Sequence, residues 1–278
     1  MARYGIAVNT ENCMECYNCF MACKDEHCGF KTAVSAPQPH TGHKWIRIES
    51  KERGNDTRKI KTSNSAVLCA HCHDAPCAKA AENGAVYTRG DGIVIIDPDK
   101  AKGQKKLVSS CPIGAIFWNE ELNIPQKCTL CAHLLDDGYA MPRCAEACPN
   151  EALYFGDLDD PNSEINRVIK EGRITKIKTL GGIETNVVHL NIPTVFLAGS
   201  VYLPDDEAAE GALVTLTRKK TGDTVSVKTN YFGDWEADWL AINEDYEITI
   251  SANGCLPVKF EAKTDIDRFV GETVLTPC

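Results

Sequence analysis

Residues 128–149 read CTLCAHLLDDGYAMPRCAEACP and hold four cysteines at the spacing C-x2-C-x12-C-x3-C-P. A second run near the start, residues 13–23, reads CMECYNCFMAC, with the spacing C-x2-C-x2-C-x3-C. Thiolates at such spacings are ligands of 4Fe–4S clusters. In two-cluster arrangements the fourth cysteine of one run binds the cluster of the other run. The two runs therefore predict two clusters that exchange their fourth ligands.

A third set begins at residue 69, where CAHCHDAPC supplies Cys69, Cys72 and Cys77. Its closing cysteine is Cys111, which is followed by proline as Cys148 is. Four positions of the crossed partner site lack a thiol, namely Ala81, Ala101, Gln104 and Leu107. Because one site has lost all four ligands while its neighbour keeps all of its own, we predict a vacant fourth cluster position. The alternative is that residues 101–107 form an ordinary helix outside any cysteine register.

Three complete sites follow, and they use twelve of the fifteen cysteines. The predicted ligand sets are Cys13, Cys16, Cys19 with Cys148; Cys128, Cys131, Cys144 with Cys23; and Cys69, Cys72, Cys77 with Cys111. Each site would hold one 4Fe–4S cluster, so the predicted content is three clusters. Cys28, Cys255 and Cys278 lie outside the sets and are expected to be free thiols.

Zinc is the alternative metal, because C-x2-C pairs also occur in zinc sites. Zinc takes four ligands around one ion, often with a histidine among them. The run at residues 13–23 places too many thiols too close together for one tetrahedral ion, and the Cys-Pro elements at 111 and 148 also favour clusters. We therefore predict iron–sulfur chemistry. His71 and His73 are expected beside a cluster or at the surface rather than as ligands.

The cysteine distribution also divides the chain. Thirteen cysteines precede residue 149, whereas residues 195–278 carry 15 acidic against 7 basic residues. From about residue 193 short runs with alternating apolar positions are separated by turns such as Thr221-Gly222-Asp223. We predict an α+β protein with two domains, residues 1–192 with the cluster sites and residues 193–278 as a small antiparallel β-sandwich or barrel. Asp234, Glu236 and Asp238 are expected on a solvated strand face.

Several classes of protein are disfavoured by composition. The net charge is −9 and no basic stripe is present, so no nucleic-acid partner is expected. No stretch approaches the roughly 18 apolar residues of a membrane helix. The first residues lack the charged and apolar segments of a signal peptide, and the cysteines are clustered as metal ligands rather than spaced for disulfides. We therefore expect a cytoplasmic protein with no membrane anchor in this chain.

The segments QKCTLCAHLLDDGYAMPRCAEACPNEALYFGD, CMECYNCFMACK and CAHCHDAPC resemble the iron–sulfur subunits of the molybdopterin oxidoreductases, the dimethyl sulfoxide reductase family. The resemblance spans about residues 4–160. It implies paired ferredoxin-like modules with four clusters, from which this chain departs at the vacant position. It also implies a heterodimer with a large catalytic subunit that holds molybdopterin guanine dinucleotide with Mo or W. The last domain resembles a carboxypeptidase-regulatory-like β-domain.

On this resemblance the chain carries electrons and has no catalytic residue of its own. One alternative is a subunit of a respiratory molybdopterin reductase, which would pass electrons from an outside donor. A second alternative is a free-standing polyferredoxin without a catalytic partner. The β-domain disfavours the free carrier, because a diffusing carrier has little use for an additional docking surface.

Overall fold

A computed structural model describes residues 2–175 and 180–278. The chain forms two compact units, one of residues 1–50 and 64–192 and the other of residues 51–63 and 193–278. Both are built mostly from β-strands, with short helices in the first unit. The predicted domain 1–192 includes residues 51–63, which in the structure pack with the second unit. No helix within the described residues is long and apolar enough to cross a membrane.

The strands of the first unit, including a hairpin that it shares with the second, are β1 (Tyr4–Asn9), β2 (Ile46–Asp56), β3 (Lys59–Leu68), β4 (Val86–Thr88), β5 (Val94–Ile96), β6 (Phe117–Asn119), β7 (Ile124–Gln126), β8 (Leu153–Asp157), β9 (Ile174–Thr175) and β10 (Val187–Leu190). Its α-helices are α1 (Asn18–His27), α2 (Pro76–Ala80), α3 (Lys106–Ser109), α4 (Ala132–Asp136), α5 (Arg143–Glu146) and α6 (Glu164–Glu171).

A four-stranded sheet in the order β8-β1-β10-β9 organises the first unit. β1 is antiparallel to β8 and parallel to β10. The four central residues of β1 are buried because both faces of this strand are covered. On one face Ala7 packs with Ile165 and Val168 of α6. Because β1 leads into the first cysteine run and β8 follows the last one, their pairing brings the two runs together.

Two small hairpins extend the first unit. β4 and β5 form the first hairpin and are antiparallel. β6 and β7 form the second hairpin. The alternative of an ordinary helix over residues 101–107 does not match the structure, because α3 covers only Lys106–Ser109 and residues 101–103 form a turn. The main core of this unit combines thiols with large apolar side chains such as Trp45, Leu68 and Ile95.

The second unit contains the strands β11 (Val195–Tyr202), β12 (Leu213–Arg218), β13 (Thr224–Lys228), β14 (Asp234–Leu240), β15 (Asp245–Ser251), β16 (Cys255–Leu256), β17 (Val258–Lys263), β18 (Arg268–Val274) and β19 (Thr276–Pro277). They form sheets in the orders β14-β11-β18, β13-β12-β15-β17 and β16-β19. β15 alternates buried and exposed residues along its length, as predicted. Residues of both larger sheets, including Leu197, Leu216, Trp235 and Ile248, share one apolar core.

The turn before β14 requires a glycine. Gly233 has φ +79°, and a Cβ atom added there would lie 2.3 Å from the carbonyl oxygen of Val201. A side chain at this position would therefore be strained by its own backbone and would clash with β11. Gly222 also adopts a positive φ, +78°, in the predicted turn between β12 and β13.

The acidic face of β14 is not simply solvated. Glu236 forms ion pairs with Lys59 and Lys61, and Lys61 also lies 2.7 Å from Asp238. Burial alone would raise the pKa of Glu236, but hydrogen bonds from Asp238 and the two lysines outweigh it and lower the pKa to about 2. Burial raises the pKa of Asp238, and its hydrogen bond to Glu236 adds to the rise. Residues 51–63 thus supply the cations that balance this strand.

Candidate iron–sulfur sites

The first site consists of Cys13, Cys16, Cys19 and Cys148, which line one cavity together with Pro149. The loop that carries the first three turns sharply, with φ near +60° at residues 15 and 17. Burial raises the pKa of Cys19 to about 12, and the neighbouring thiols add to the rise. Cys16 is exposed, so this site lies at the surface of the first unit.

The second site consists of Cys69, Cys72, Cys77 and Cys111, which also line a common cavity. Cys77 lies on α2, whose first residue is a proline. Burial raises the pKa of Cys72 to about 12, followed by repulsion from the other three thiols. The four sulfur atoms are therefore near one another although Cys111 is far along the chain.

The third site consists of Cys23, Cys128, Cys131 and Cys144, all of which are buried. Burial raises the pKa of Cys144 well above its usual value, and the other three thiols of the site reinforce the rise. α1 packs against α5, which brings Cys23 to Cys144. Because α1 also carries Cys19, this helix contributes to both the first and the third site.

The structure thus places the twelve predicted thiols in three groups of four, and each group combines cysteines from different runs. The other three cysteines, Cys28, Cys255 and Cys278, lie outside these groups and form no disulfide. Among the described residues, no three Cys, His, Asp or Glu side chains close around the position of a single metal ion.

Backbone amides point at one sulfur in each site. The amide of Ala152 lies 3.2 Å from Cys148 Sγ, and that of Ala115 lies 3.3 Å from Cys111 Sγ. Each donor lies four residues after the cysteine of its Cys-Pro pair, so the two turns have the same local geometry. At the third site the amide of Leu130 lies 3.4 Å from Cys128 Sγ. Such donors stabilise anionic sulfur and fit thiolates that hold a cluster.

Lys127 is a buried cation without a carboxylate partner in the described part of the chain. It is 2 % exposed, and its ammonium donates to the carbonyl oxygens of Val94 and Cys128. Burial raises the pKa of Cys77 and Cys128, and the Lys127 ammonium opposes the rise at both thiols. A buried charge is costly unless an opposite charge balances it. Thiolates of the second and third sites, carrying a cluster with net negative charge, would supply that balance.

The two histidines that flank Cys72 have different environments. His71 is fully buried, and its Nδ1 accepts a hydrogen bond of 3.0 Å from the amide of Val94. Burial and the nearby Lys127 ammonium hold the pKa of His71 well below its usual value, so the ring is neutral. His73 is partly exposed and its Nε2 lies 2.8 Å from Asn186 Oδ1. Neither ring is hydrogen-bonded to a cysteine sulfur.

The four positions predicted for the vacant site lie together. Ala101 and Leu107 are fully buried and share an apolar cluster with Ala81. The Gln104 side chain accepts a hydrogen bond from the Glu82 amide at 2.9 Å and donates to the Glu82 and Lys100 carbonyls. Apolar packing and a satisfied amide therefore occupy the space where thiols would be expected. The same cluster includes Cys77 and Cys111 of the second site.

Comparison with known proteins gives a family match and several similar chains. Residues 60–158 match the 4Fe–4S dicluster domain family. The chain is 39 % identical to the pyrogallol hydroxytransferase small subunit of Pelobacter acidigallici, over 91 % of this chain and 92 % of the relative. It is 29 % identical to a subunit of the tetrathionate reductase of Salmonella typhimurium, over 70 % and 75 % of the two chains. It is 26 % identical to the iron–sulfur subunit of an arsenate respiratory reductase of Shewanella, over 68 % and 96 %.

The cysteine runs, the dicluster match and a relative aligned along nearly its whole length agree. The chain belongs to the family of iron–sulfur subunits of the molybdopterin oxidoreductases.

Proposed function

We propose that this chain is the electron-transfer subunit of a molybdopterin-dependent transhydroxylase and holds three 4Fe–4S clusters. The first, second and third sites supply the ligands, four thiolates each. The proposal is carried by the three convergent groups of thiols, each made from different cysteine runs. We further propose that residues 1–192 form paired ferredoxin-like modules and that residues 193–278 form a β-sandwich of the carboxypeptidase-regulatory-like type.

The residues of this chain hold and tune the clusters and do no bond chemistry. A 4Fe–4S cluster, when bound, accepts and releases one electron at a time. The buried thiols have raised pKa values, so loading each site must release their protons. The amides of Ala115, Leu130 and Ala152 then donate to thiolate sulfur, and Lys127 balances the charge of the second and third sites.

The partner that fits this subunit is a large catalytic subunit with molybdopterin guanine dinucleotide and Mo or W, joined to it in a heterodimer. The Pelobacter relative is named for pyrogallol hydroxytransfer, which moves a hydroxyl group between phenolic rings. Such a transfer causes no net oxidation of the pair of rings, so electrons need only be balanced within the cycle. A path shortened by one vacant cluster position is compatible with that requirement. We place the complex in the cytoplasm.

The test is an assay of the complex purified anaerobically with its partner. It should convert pyrogallol when a polyhydroxylated benzene is supplied as co-substrate and no external redox couple is present. A respiratory subunit must exchange electrons with an outside donor in every turnover, so its complex would be inactive under these conditions. Inactivity here, together with rapid reduction of a small oxide substrate by a dye donor, would reassign the chain to a respiratory reductase.

A further inference from the structure

The third site differs from the other two in the groups that reach its sulfur atoms. Gln38 Nε2 lies 3.8 Å from Cys23 Sγ, and His27 Nε2 lies 3.6 Å from Cys131 Sγ. In the described part of the chain, no side-chain donor reaches a sulfur atom of the first or second site. Those sites receive backbone amides only, whereas the third site has two side-chain donors in addition to its backbone donors.

The two donors are held in place by their surroundings. His27 is the last residue of α1 and follows Cys19 and Cys23 at intervals of four, so all three lie on the buried face of that helix. The backbone amide of Gln38 donates to the backbone carbonyl oxygen of His27 at 2.7 Å, which holds the two residues next to each other. The His27 ring also packs on Trp45, with ring centroids 4.8 Å apart. Both side chains are therefore positioned before any cluster binds.

The geometry makes His27 a donor to the neighbouring sulfur atom. Nε2 lies 3.6 Å from Cys131 Sγ, whereas the buried Nδ1 has no hydrogen-bond partner in the described part of the chain. A thiolate that binds iron carries no proton and can only accept a hydrogen bond. When Cys131 is a ligand, Nε2 must therefore carry the proton, and His27 is an N–H donor to that sulfur.

Burial makes the third site harder to reduce, whereas hydrogen bonds to its sulfur atoms make it easier to reduce. All four cysteines of the third site are buried, whereas the first site includes exposed Cys16 and the second includes half-buried Cys72 and Cys111. Reduction adds negative charge to a cluster, and a poorly solvated environment disfavours that charge. Burial alone would make the third site the hardest of the three to reduce. Hydrogen bonds to sulfur favour the reduced state.

We propose that His27 and Gln38 are positioning residues that keep the most buried cluster reducible by donating hydrogen bonds to Cys131 and Cys23. The proposal rests on the ligand sets of the proposed function. A single electron enters the site from a neighbouring cluster or from the partner's metal, and no bond is formed or broken. The Lys127 ammonium lowers the pKa of thiols in both the second and the third site, so it does not distinguish those two sites.

The test is a redox titration of the full chain with dithionite, followed by electron paramagnetic resonance, together with iron analysis of each variant. His27→Phe and Gln38→Leu each remove one donor while preserving volume, and His27→Gln restores an N–H donor. His43→Phe is the matched control, because His43 is also a buried histidine but its Nε2 lies 3.0 Å from the Trp118 carbonyl oxygen. Cys131→Ser identifies the signal that belongs to the third site.

We expect His27→Phe and Gln38→Leu to lower the midpoint potential of the third site only. The expected shift is ~59 mV, which corresponds to a tenfold smaller ratio of reduced to oxidised cluster at a given potential. His27→Gln should recover much of the shift, and His43→Phe should leave every potential unchanged. Full iron content with an unaltered third potential in both donor variants would overturn the proposal. Loss of the third cluster in both variants would also overturn it, by showing a structural role. Absence of iron from the unmodified chain would instead contradict the proposed function.

Discussion

The two units of this chain balance their buried polar groups in different ways. In the second unit buried and half-buried charges are paired with one another: Glu236 meets Lys59 and Lys61, and the buried Arg53 meets Asp267. In the first unit most of the twelve thiols lie among apolar side chains, and the buried ammonium of Lys127 has no carboxylate partner among the described residues. The second unit therefore balances its charges internally, whereas on the proposed function the clusters balance Lys127 in the first.

The difference implies that iron is a structural component of the first unit alone. Structural metal ions contribute on the order of 10 kcal/mol to the folding of small domains. Removing the clusters would leave the sites empty and Lys127 unbalanced, and nothing comparable would change in the second unit.

The largest expected effect is the loss of structure in the first unit after anaerobic removal of iron by a chelator. In hydrogen exchange, amides of residues 69–77 and 128–148 should lose protection, because their loops are held by the clusters. Amides of residues 51–63 and 193–278 should stay protected. Loss of protection in both units at the same chelator exposure would show that they unfold as one and would remove the contrast.

A smaller effect is expected from a single ligand. Cys77→Ser should remove one cluster, or about a third of the iron, because the second site takes no ligand from the runs at residues 13–23 and 128–148. Iron analysis and electron paramagnetic resonance measure this loss. Cys28→Ser is the matched control, since Cys28 lies outside the three groups of thiols and its sulfur contacts the Pro39 carbonyl oxygen, so its replacement should leave the iron content intact. Loss of two clusters in Cys77→Ser would contradict the grouping of the thiols.

The vacant position should behave as ordinary core. Leu107 is fully buried in an apolar cluster, so Leu107→Ala should lower the free energy of unfolding by about 2–5 kcal/mol through the cavity it leaves. The iron content should not change, because no cluster ligand is removed. Chemical denaturation and iron analysis of the same sample measure both quantities. The control Leu122→Ala, at a largely exposed position, should change the free energy of unfolding by less than about 0.5 kcal/mol. A loss of iron in Leu107→Ala without a loss of stability would contradict the assignment.

The smallest effect concerns the ion pairs of the second unit. Glu236→Gln should lower the free energy of unfolding by about 1 kcal/mol at neutral pH. The pKa of Glu236 is lowered in the folded state, to about 2 from a usual 4.5, so its contribution is complete above pH 4.5 and is lost as the pH falls towards 2. The stability difference between the variant and the unmodified chain should shrink over that range. Glu261→Gln, at an exposed pair with Lys219, is the control and should have little effect at any pH. A difference for Glu236→Gln that does not depend on pH would refute the role of this pair.

The grouping of the cysteines could be predicted because it depends on spacing. Ligands that share one cluster are set by short loops and by the crossing rule, and both are visible in the sequence. That Ala81, Ala101, Gln104 and Leu107 lie together could be predicted for the same reason, since they stand in register with a cysteine run. The alternating strands of the second unit follow from period-two patterns that need no tertiary information.

Other features depend on contacts between distant parts of the chain. Residues 51–63 carry mixed charge and no regular pattern, and they pair with distant residues: Asp267 is 214 residues from Arg53, and Glu236 is 175 residues from Lys61. Lys127 precedes a cysteine run and resembles any polar residue until its burial is known. His27 could have been suspected from its spacing, because it follows Cys19 and Cys23 at intervals of four, the period of one helix face. No sequence pattern indicates Gln38, because it contacts Cys23 from a segment without regular secondary structure.

The proposed function depends above all on three cluster sites in the first unit beside a fourth position filled by packing. Iron and acid-labile sulfide, measured per chain after anaerobic purification, are the decisive quantities. We predict about 12 iron atoms and a similar amount of sulfide, which correspond to three 4Fe–4S clusters. A value near 16 iron atoms would contradict the vacant position, and zinc in place of iron would contradict the whole assignment.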